Sequence, residues 1–187
     1  MKRLHLVSAV TLMLSALLFA NSPSMPQRGA FKSIMGGLPQ NVRSRFLESM
    51  MFNNGHLATA YIGGIKSGLT PGQYGQVLMA LGVPPGDDHE GYECSKTATC
   101  SKKPDNICIG NFCLVSKARL GAALAQVSMI DRNRFLDSLD FASGRLVGAN
   151  VASLRSRLRQ PQLEELFSEL GVSPAELQRT TGDSFSR

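Results

Sequence analysis

The chain of 187 residues has no tryptophan, three histidines, three tyrosines and four cysteines. His5 lies in an N-terminal leader, so only His56 and His89 remain for imidazole chemistry in a mature protein. No stretch reaches the roughly eighteen consecutive apolar residues that a membrane span requires. No HExxH pair, nucleophile elbow, phosphate-binding loop or dinucleotide fingerprint occurs. There is no Asn-x-Ser/Thr acceptor for N-glycosylation, and no dense basic run with interleaved aromatics, so nucleic acid is not an expected partner. Against these absences stands a chain that is 43% hydrophobic and 18% charged. That balance is enough to bury a core and excludes global disorder.

Lys2 and Arg3 precede an apolar stretch from Leu4 to Ala20, broken by Ser8, Thr11 and Ser15. A short basic head and an apolar segment of this length read as a secretory signal peptide over residues 1–20. Cleavage is expected after Ala20, Ser22 or Ser24. Loss of Lys2 and Arg3 leaves 18 basic against 14 acidic side chains. Residues 25–85 and 114–187 are net basic, and residues 86–113 are net acidic. Such a balance could favour an anionic partner at long range, but ordinary solvated Arg and Lys are the preferred reading.

The strongest signal is internal. Shifting the chain by 89 positions lays residues 43–85 over 132–174 without a gap, with 16 identities in 43 positions. Unrelated sequences of average composition would give about three. Arg43, Arg45, Phe46, Leu47 and Ser49 fall on Arg132, Arg134, Phe135, Leu136 and Ser138. Phe52, Gly55, Leu57 and Ala60 fall on Phe141, Gly144, Leu146 and Ala149, and Leu81, Gly82 and Val83 on Leu170, Gly171 and Val172. A unit has been copied.

Spacing predicts each unit to be helical. Phe46, Leu47 and Met50 recur at helical intervals, Gly55 reads as a break, and Leu57, Ala60, Tyr61, Gly64, Ile65 and Gly68 read as a second helical stripe. Thr70, Pro71 and Gln73 form a helix start, with Thr70 as cap and Gln73 returning the bond. Gly82 can close that helix in a left-handed conformation, and Ser173, Pro174 and Glu176 begin a further short helix. One three-helix unit has too little core to stand alone. The fold expected is therefore all-α: a duplicated three-helix unit packed as a pseudo-twofold helical bundle. The first repeat spans 25–85 and the second 114–187. A small-residue strip of Ala60, Gly64 and Gly68 is expected to permit close helix packing.

Between the units, residues 86–113 carry Cys94, Cys100, Cys108 and Cys113. With a secretory leader, an even cysteine count implies disulfides. Spacing permits three pairings; the interlaced Cys94–Cys108 and Cys100–Cys113 is the favoured one. The run ending Cys108-Ile109-Gly110-Asn111-Phe112-Cys113 resembles short cysteine motifs of extracellular animal proteins, in which a Gly/Asn turn precedes the last cysteine. Structural zinc prefers cysteine pairs two to four residues apart, and these wider spacings fit it poorly. The insert is read as a disulfide-bonded loop whose first role is structural stapling; loops of this length are also frequently functional, and Ile109, Asn111 and Phe112 are the candidate recognition residues.

No catalytic, cofactor-binding or metal site is assigned. His56 aligns with Arg145, so the two copies share no imidazole. The run Asp87-Asp88-His89-Glu90 offers carboxylate oxygens to a cation but lacks the glycine and distant glutamate of a calcium loop. Glu48 aligns with Asp137, and with the neighbouring arginines this suggests a helix-surface ion pair. The leading expectation is a secreted, non-enzymatic protein acting by surface recognition on an unidentified protein or extracellular matrix component. A periplasmic inhibitor or immunity protein that plugs an enzyme cleft is the alternative. A small metal-dependent enzyme using Asp87, Asp88 or His89 is the third reading.

Overall fold

A computed structural model describes residues 29–83, 89–95, 97–113, 119–178 and 184–186. The signal peptide assigned to 1–20, and Asp87 and Asp88, lie outside them.

The first repeat begins with α1 (Ala30–Gly36) and α2 (Gln40–Ser49) and continues through a hairpin of β1 (Met51–Asn53) and β2 (His56–Tyr61). Two helices follow, α3 (Gly63–Gly68) and α4 (Pro71–Ala80). The insert supplies β3 (His89–Cys94), β4 (Cys100–Cys108) and a single 3-10 turn at Gly110–Phe112. The second repeat has α5 (Leu120–Ala123), α6 (Met129–Leu136), β5 (Asp140–Ala142), β6 (Arg145–Asn150), α7 (Ala152–Arg155) and α8 (Gln160–Glu169). After it come α9 (Pro174–Gln178) and β7 (Ser184–Ser186). With the offset of 89, β1 overlies β5, β2 overlies β6 and α4 overlies α8, residue for residue.

The fold is mixed α/β and not the all-α bundle that periodicity predicts. The error lies in residues 51–61 and 140–150. Asn54 and Gly55 have φ of 48° and 84°, and Ser143 and Gly144 have 49° and 74°. Two successive left-handed residues make the two-residue loop of a tight hairpin, so Phe52 pairs with Leu57 and Phe141 with Leu146. Gly55 is thus the second residue of a hairpin turn and breaks no helix. In β2, Leu57, Ala58, Thr59 and Ala60 are all buried. A strand covered on both faces shows no alternation, and its apolar run cannot be told from a helical stripe by period alone.

The insert is also more ordered than the loop expected of it. β4 adds to the edge of β2, with Thr59 opposite Cys108 and Tyr61 opposite Asn106, and β3 completes a four-stranded sheet in the order β1-β2-β4-β3. The second repeat repeats the arrangement in smaller form: β7 joins β6 in the same register, with Gly148 opposite Ser186 and Asn150 opposite Ser184. In each hairpin the outer edge of the second strand, β2 or β6, is covered by chain that follows it, which satisfies backbone groups otherwise left unpaired.

The capping signals read at the starts of α4 and α9 stand. Gln73 N–H donates to Thr70 Oγ1 at 3.3 Å while Gln73 Oε1 accepts from Thr70 N–H at 3.0 Å. Ser173 and Glu176 repeat this box. Gly82 and Gly171 take φ of 77° and 76° as helix-ending residues.

The two repeats join around an approximate twofold. Gly55 N–H donates to the Glu169 carbonyl and Gly144 N–H to the Ala80 carbonyl, both at 2.9 Å. A β-carbon on Gly82 would lie 2.7 Å from Gly144 Cα, and one on Gly55 2.8 Å from Gly171 Cα. Hairpin turns of one copy therefore seat on helix ends of the other with no room for side chains. The repeated charges bridge the same seam. Arg43 meets Asp137 and Arg132 meets Glu48, so these pairs run between repeats and not along one helix surface. Of the small-residue strip, Ala60 belongs to β2, whereas Gly64 faces Val42 and Gly68 faces Leu38. One continuous core runs from Phe31 through Phe52, Phe141 and Phe167 to Leu177.

Candidate functional site

The candidate site is the tip of the β3–β4 hairpin. Cys94 pairs across the strands with Cys100, and the chain between them turns back through Ser95–Thr99. Ser95 Oγ lies 2.8 Å from Thr97 Oγ1 and 3.0 Å from Thr99 Oγ1, and those two hydroxyls are 3.1 Å apart. The backbone closes beneath them: Ser95 N–H donates to the Thr99 carbonyl at 2.8 Å, and the Thr97 and Thr99 N–H groups donate to Ser95 Oγ. Thr97 and Thr99 are exposed. Three hydroxyls on alternate residues thus converge on one spot at the surface, where each can donate and accept.

Two disulfides clamp this loop. Cys94 bonds Cys113 and Cys100 bonds Cys108. The interlaced pairing favoured from spacing, Cys94–Cys108 with Cys100–Cys113, is therefore corrected. A bulge in β4, between the partners of Glu90 and Tyr92, folds that strand until the Cα atoms of Cys100 and Cys108 are 5.9 Å apart. The 3-10 turn then carries Cys113 to within 5.4 Å of Cys94, Cα to Cα. The sequence choice lay between near neighbours, since Cys94 Sγ is only 3.9 Å from Cys108 Sγ. Three of the sulfurs lie within 4.8 Å of one another, but each is committed to a bridge and none is a thiolate ligand.

Polar contacts hold the hairpin to the body. Glu93 accepts from Lys103 at 2.7 Å and from Arg119 at 2.8 Å, and Arg119 also donates to the Ser49 carbonyl at 2.9 Å. Glu90 pairs with Lys66 and accepts from the Tyr74 hydroxyl at 3.0 Å. The Lys66 hydrogen bond holds the Glu90 carboxyl below its ordinary range, with burial opposing and Tyr74 and the Lys66 charge assisting. Ile62 N–H donates to the Asp105 carbonyl at 2.7 Å. On the seam between repeats, hydrogen bonds to Asp137 raise the Arg43 guanidinium above its ordinary value, against the opposing pull of burial.

The residues singled out from sequence separate in space. Ile109 belongs to the core, and its N–H donates to the Ala58 carbonyl at 2.8 Å. Phe112 is half-buried and stacks on His56, ring centroids 4.3 Å apart and 4° from parallel. Only Asn111 faces outward. Ile109 and Phe112 are therefore anchors of the insert, and the exposed chemistry sits at Ser95, Thr97 and Thr99, which sequence patterns did not single out. The available signal was their alternation between two cysteines. The backbone of His89 opens β3. Elsewhere, a cavity of about 430 Å3 between α7, α8 and α9 is lined by Arg155, Leu158, Gln160, Leu163, Leu177 and Gln178.

Searches against protein families, curated proteins and solved structures return no match for this chain. Two disulfides suit an oxidising extracytoplasmic setting. Among the described residues no helix is long and apolar enough to cross a membrane.

Proposed function

We propose that this is a secreted, non-enzymatic recognition protein, whose duplicated body presents the Ser95–Thr99 tip to a protein or extracellular matrix partner. The observation that carries this reading is the placement of the two bridges: Cys94 and Cys100 bracket the tip directly, and each is bonded back to the base of the insert. A short loop clamped on both sides has little conformational freedom left to lose on binding, so its contacts convert into affinity with a smaller ordering cost. The hydroxyl cluster adds directional donors and acceptors, and Ser101, Lys102 and Lys103 extend the exposed surface beside it.

The test compares the wild-type protein with a variant in which Thr97 and Thr99 are replaced by Ala, leaving Ser95 Oγ to accept the two backbone N–H groups of the turn. Both are immobilised and exposed to the extracellular fluid in which the protein is made. Wild type should retain a defined partner. The variant should bind that partner at least about tenfold more weakly, as expected of a loop holding hot-spot contacts, with an unchanged melting temperature. Equal capture by the two proteins would refute the reading. A captured partner that proves to be a soluble enzyme inhibited by the protein would transfer the same loop to the inhibitor class.

A further inference from the structure

Asp140 is a charged side chain in a position that does not require one. It opens β5, is 8% exposed, and overlies the apolar Met51 of the first repeat. Neither the strand nor the hairpin therefore needs a carboxylate there. Its Oδ2 accepts the backbone N–H of Gly29 at 2.9 Å. Its Oδ1 is buried and has no donor among the described residues. A carboxylate has room for about four hydrogen bonds, and a buried one held by a single amide is poorly compensated for the water it has lost.

What the carboxylate needs is a cation, and the atom nearest to supplying one is Gly29 N itself. In the intact chain this nitrogen is an uncharged amide with one proton. Hydrolysis of the bond before it would make it an ammonium with three protons at the same place, able to serve both carboxylate oxygens. The residue on the other side of that bond is Arg28, the side chain that trypsin-like proteases require at the position they cut.

We propose that the chain is processed between Arg28 and Gly29, and that the new α-ammonium of Gly29 pairs with Asp140. Water adds across the peptide bond: Arg28 departs with the carboxylate, and Gly29 keeps the nitrogen, now protonated and cationic. The pair would fasten the start of α1 to β5. Phe31 already packs there, edge-on to Phe141 with ring centroids 5.2 Å apart. An N-terminal helix would thus be locked onto the second repeat only after the segment ahead of it is removed. This inference is independent of the recognition role of the insert.

Two measurements test it. N-terminal sequencing of the protein recovered from the cells that make it should begin at Gly29. Separately, the full chain is prepared with Met25, Pro26 and Gln27 replaced by the Ile-Glu-Gly that a site-specific protease requires before Arg, then melted before and after cutting. Cutting should raise the melting temperature by roughly 5 °C, as expected for a charge-assisted bond in a chain of this size. The gain should vanish in Asp140→Asn. It should also vanish when one Ala is inserted between Arg28 and Gly29, a change that moves the new amine by one residue and leaves Asp140 intact. A native N-terminus upstream of Gly29, no gain on cutting, or an equal gain in the insertion variant would each overturn the proposal.

Discussion

Phe52 and Phe141 occupy the same place in the two repeats and stack on each other at the seam, with ring centroids 5.5 Å apart and planes 8° from parallel. Because one ring is the other's partner, the approximate twofold passes between them. Truncating either ring to Ala should cost about 3–5 kcal/mol in denaturant unfolding, the usual penalty for emptying an aromatic site in a core. Phe141→Ala should cost more, since Phe141 also holds the edge contact with Phe31. The double variant should lose about 1 kcal/mol less than the sum of the singles. Strict additivity would show that the rings do not couple.

The glycines divide sharply by location. Gly82 has φ of 77°, and a β-carbon there would sit 2.7 Å from Gly144 Cα. Gly82→Ala combines left-handed strain with backbone overpacking and should destabilise by about 2–4 kcal/mol. Gly75 lies within α4, and a β-carbon added to it would meet nothing within 4 Å. Gly75→Ala should stabilise by about 0.5–1 kcal/mol through helix propensity. Calorimetric melting of the two variants should shift in opposite directions.

Glu90 links acidity to the hold on the insert. Its carboxyl is kept below the ordinary range in the folded chain, so as pH falls the unfolded chain takes up this proton first. The associated stability is complete above the ordinary carboxylate range and is lost as pH drops through that range to the folded value. Glu90→Gln should lower the melting temperature by about 1–3 °C near neutrality, a small effect because the pair is near the surface. The gap to wild type should close on acidification. A gap that persists unchanged in acid would rule out the carboxylate as its source.

Peptide mapping without reduction should recover linked fragments joining Cys94 to Cys113 and Cys100 to Cys108. A Cys94–Cys108 link would contradict the structure. Replacing a bonded pair by Ser should cost about 2–3 kcal/mol, with the larger loss for Cys94–Cys113, because that bridge closes the longer loop and its residues are 19 apart against 8.

Helix ends were legible because they are written locally. Thr70 with Gln73, and Ser173 with Glu176, carry their own capping partners three residues away. The hairpin turns were equally local, and Asn54 followed by Gly55 is a direct turn signal. That signal was masked by the apolar runs on either side, whose lack of alternation imitates a helix. The cysteines marked the insert, yet their pairing depended on a bulge in β4 and a turn at Gly110–Phe112, neither of which spacing encodes. Ile109 and Phe112 stood as recognition candidates because they lie in a long disulfide-bonded insert, a kind of segment that is frequently functional. Their burial follows from the edge of β2 that they help to cover.

Alone, the order of residues establishes that one unit was copied, where α4 and α9 begin and where α4 and α8 end, and that the segment between copies is cross-linked. Each of these depends on neighbours a few positions apart or on identity at a constant offset. Strands are different, because a strand exists only where another backbone satisfies its hydrogen bonds. The added partners of β2 and β6 lie far downstream, at 106–108 and 184–186. Assembly in three dimensions therefore chose strand over helix, matched the sulfurs, set turn glycines of one copy against helix ends of the other, and brought the amide of Gly29 to the buried carboxylate of Asp140.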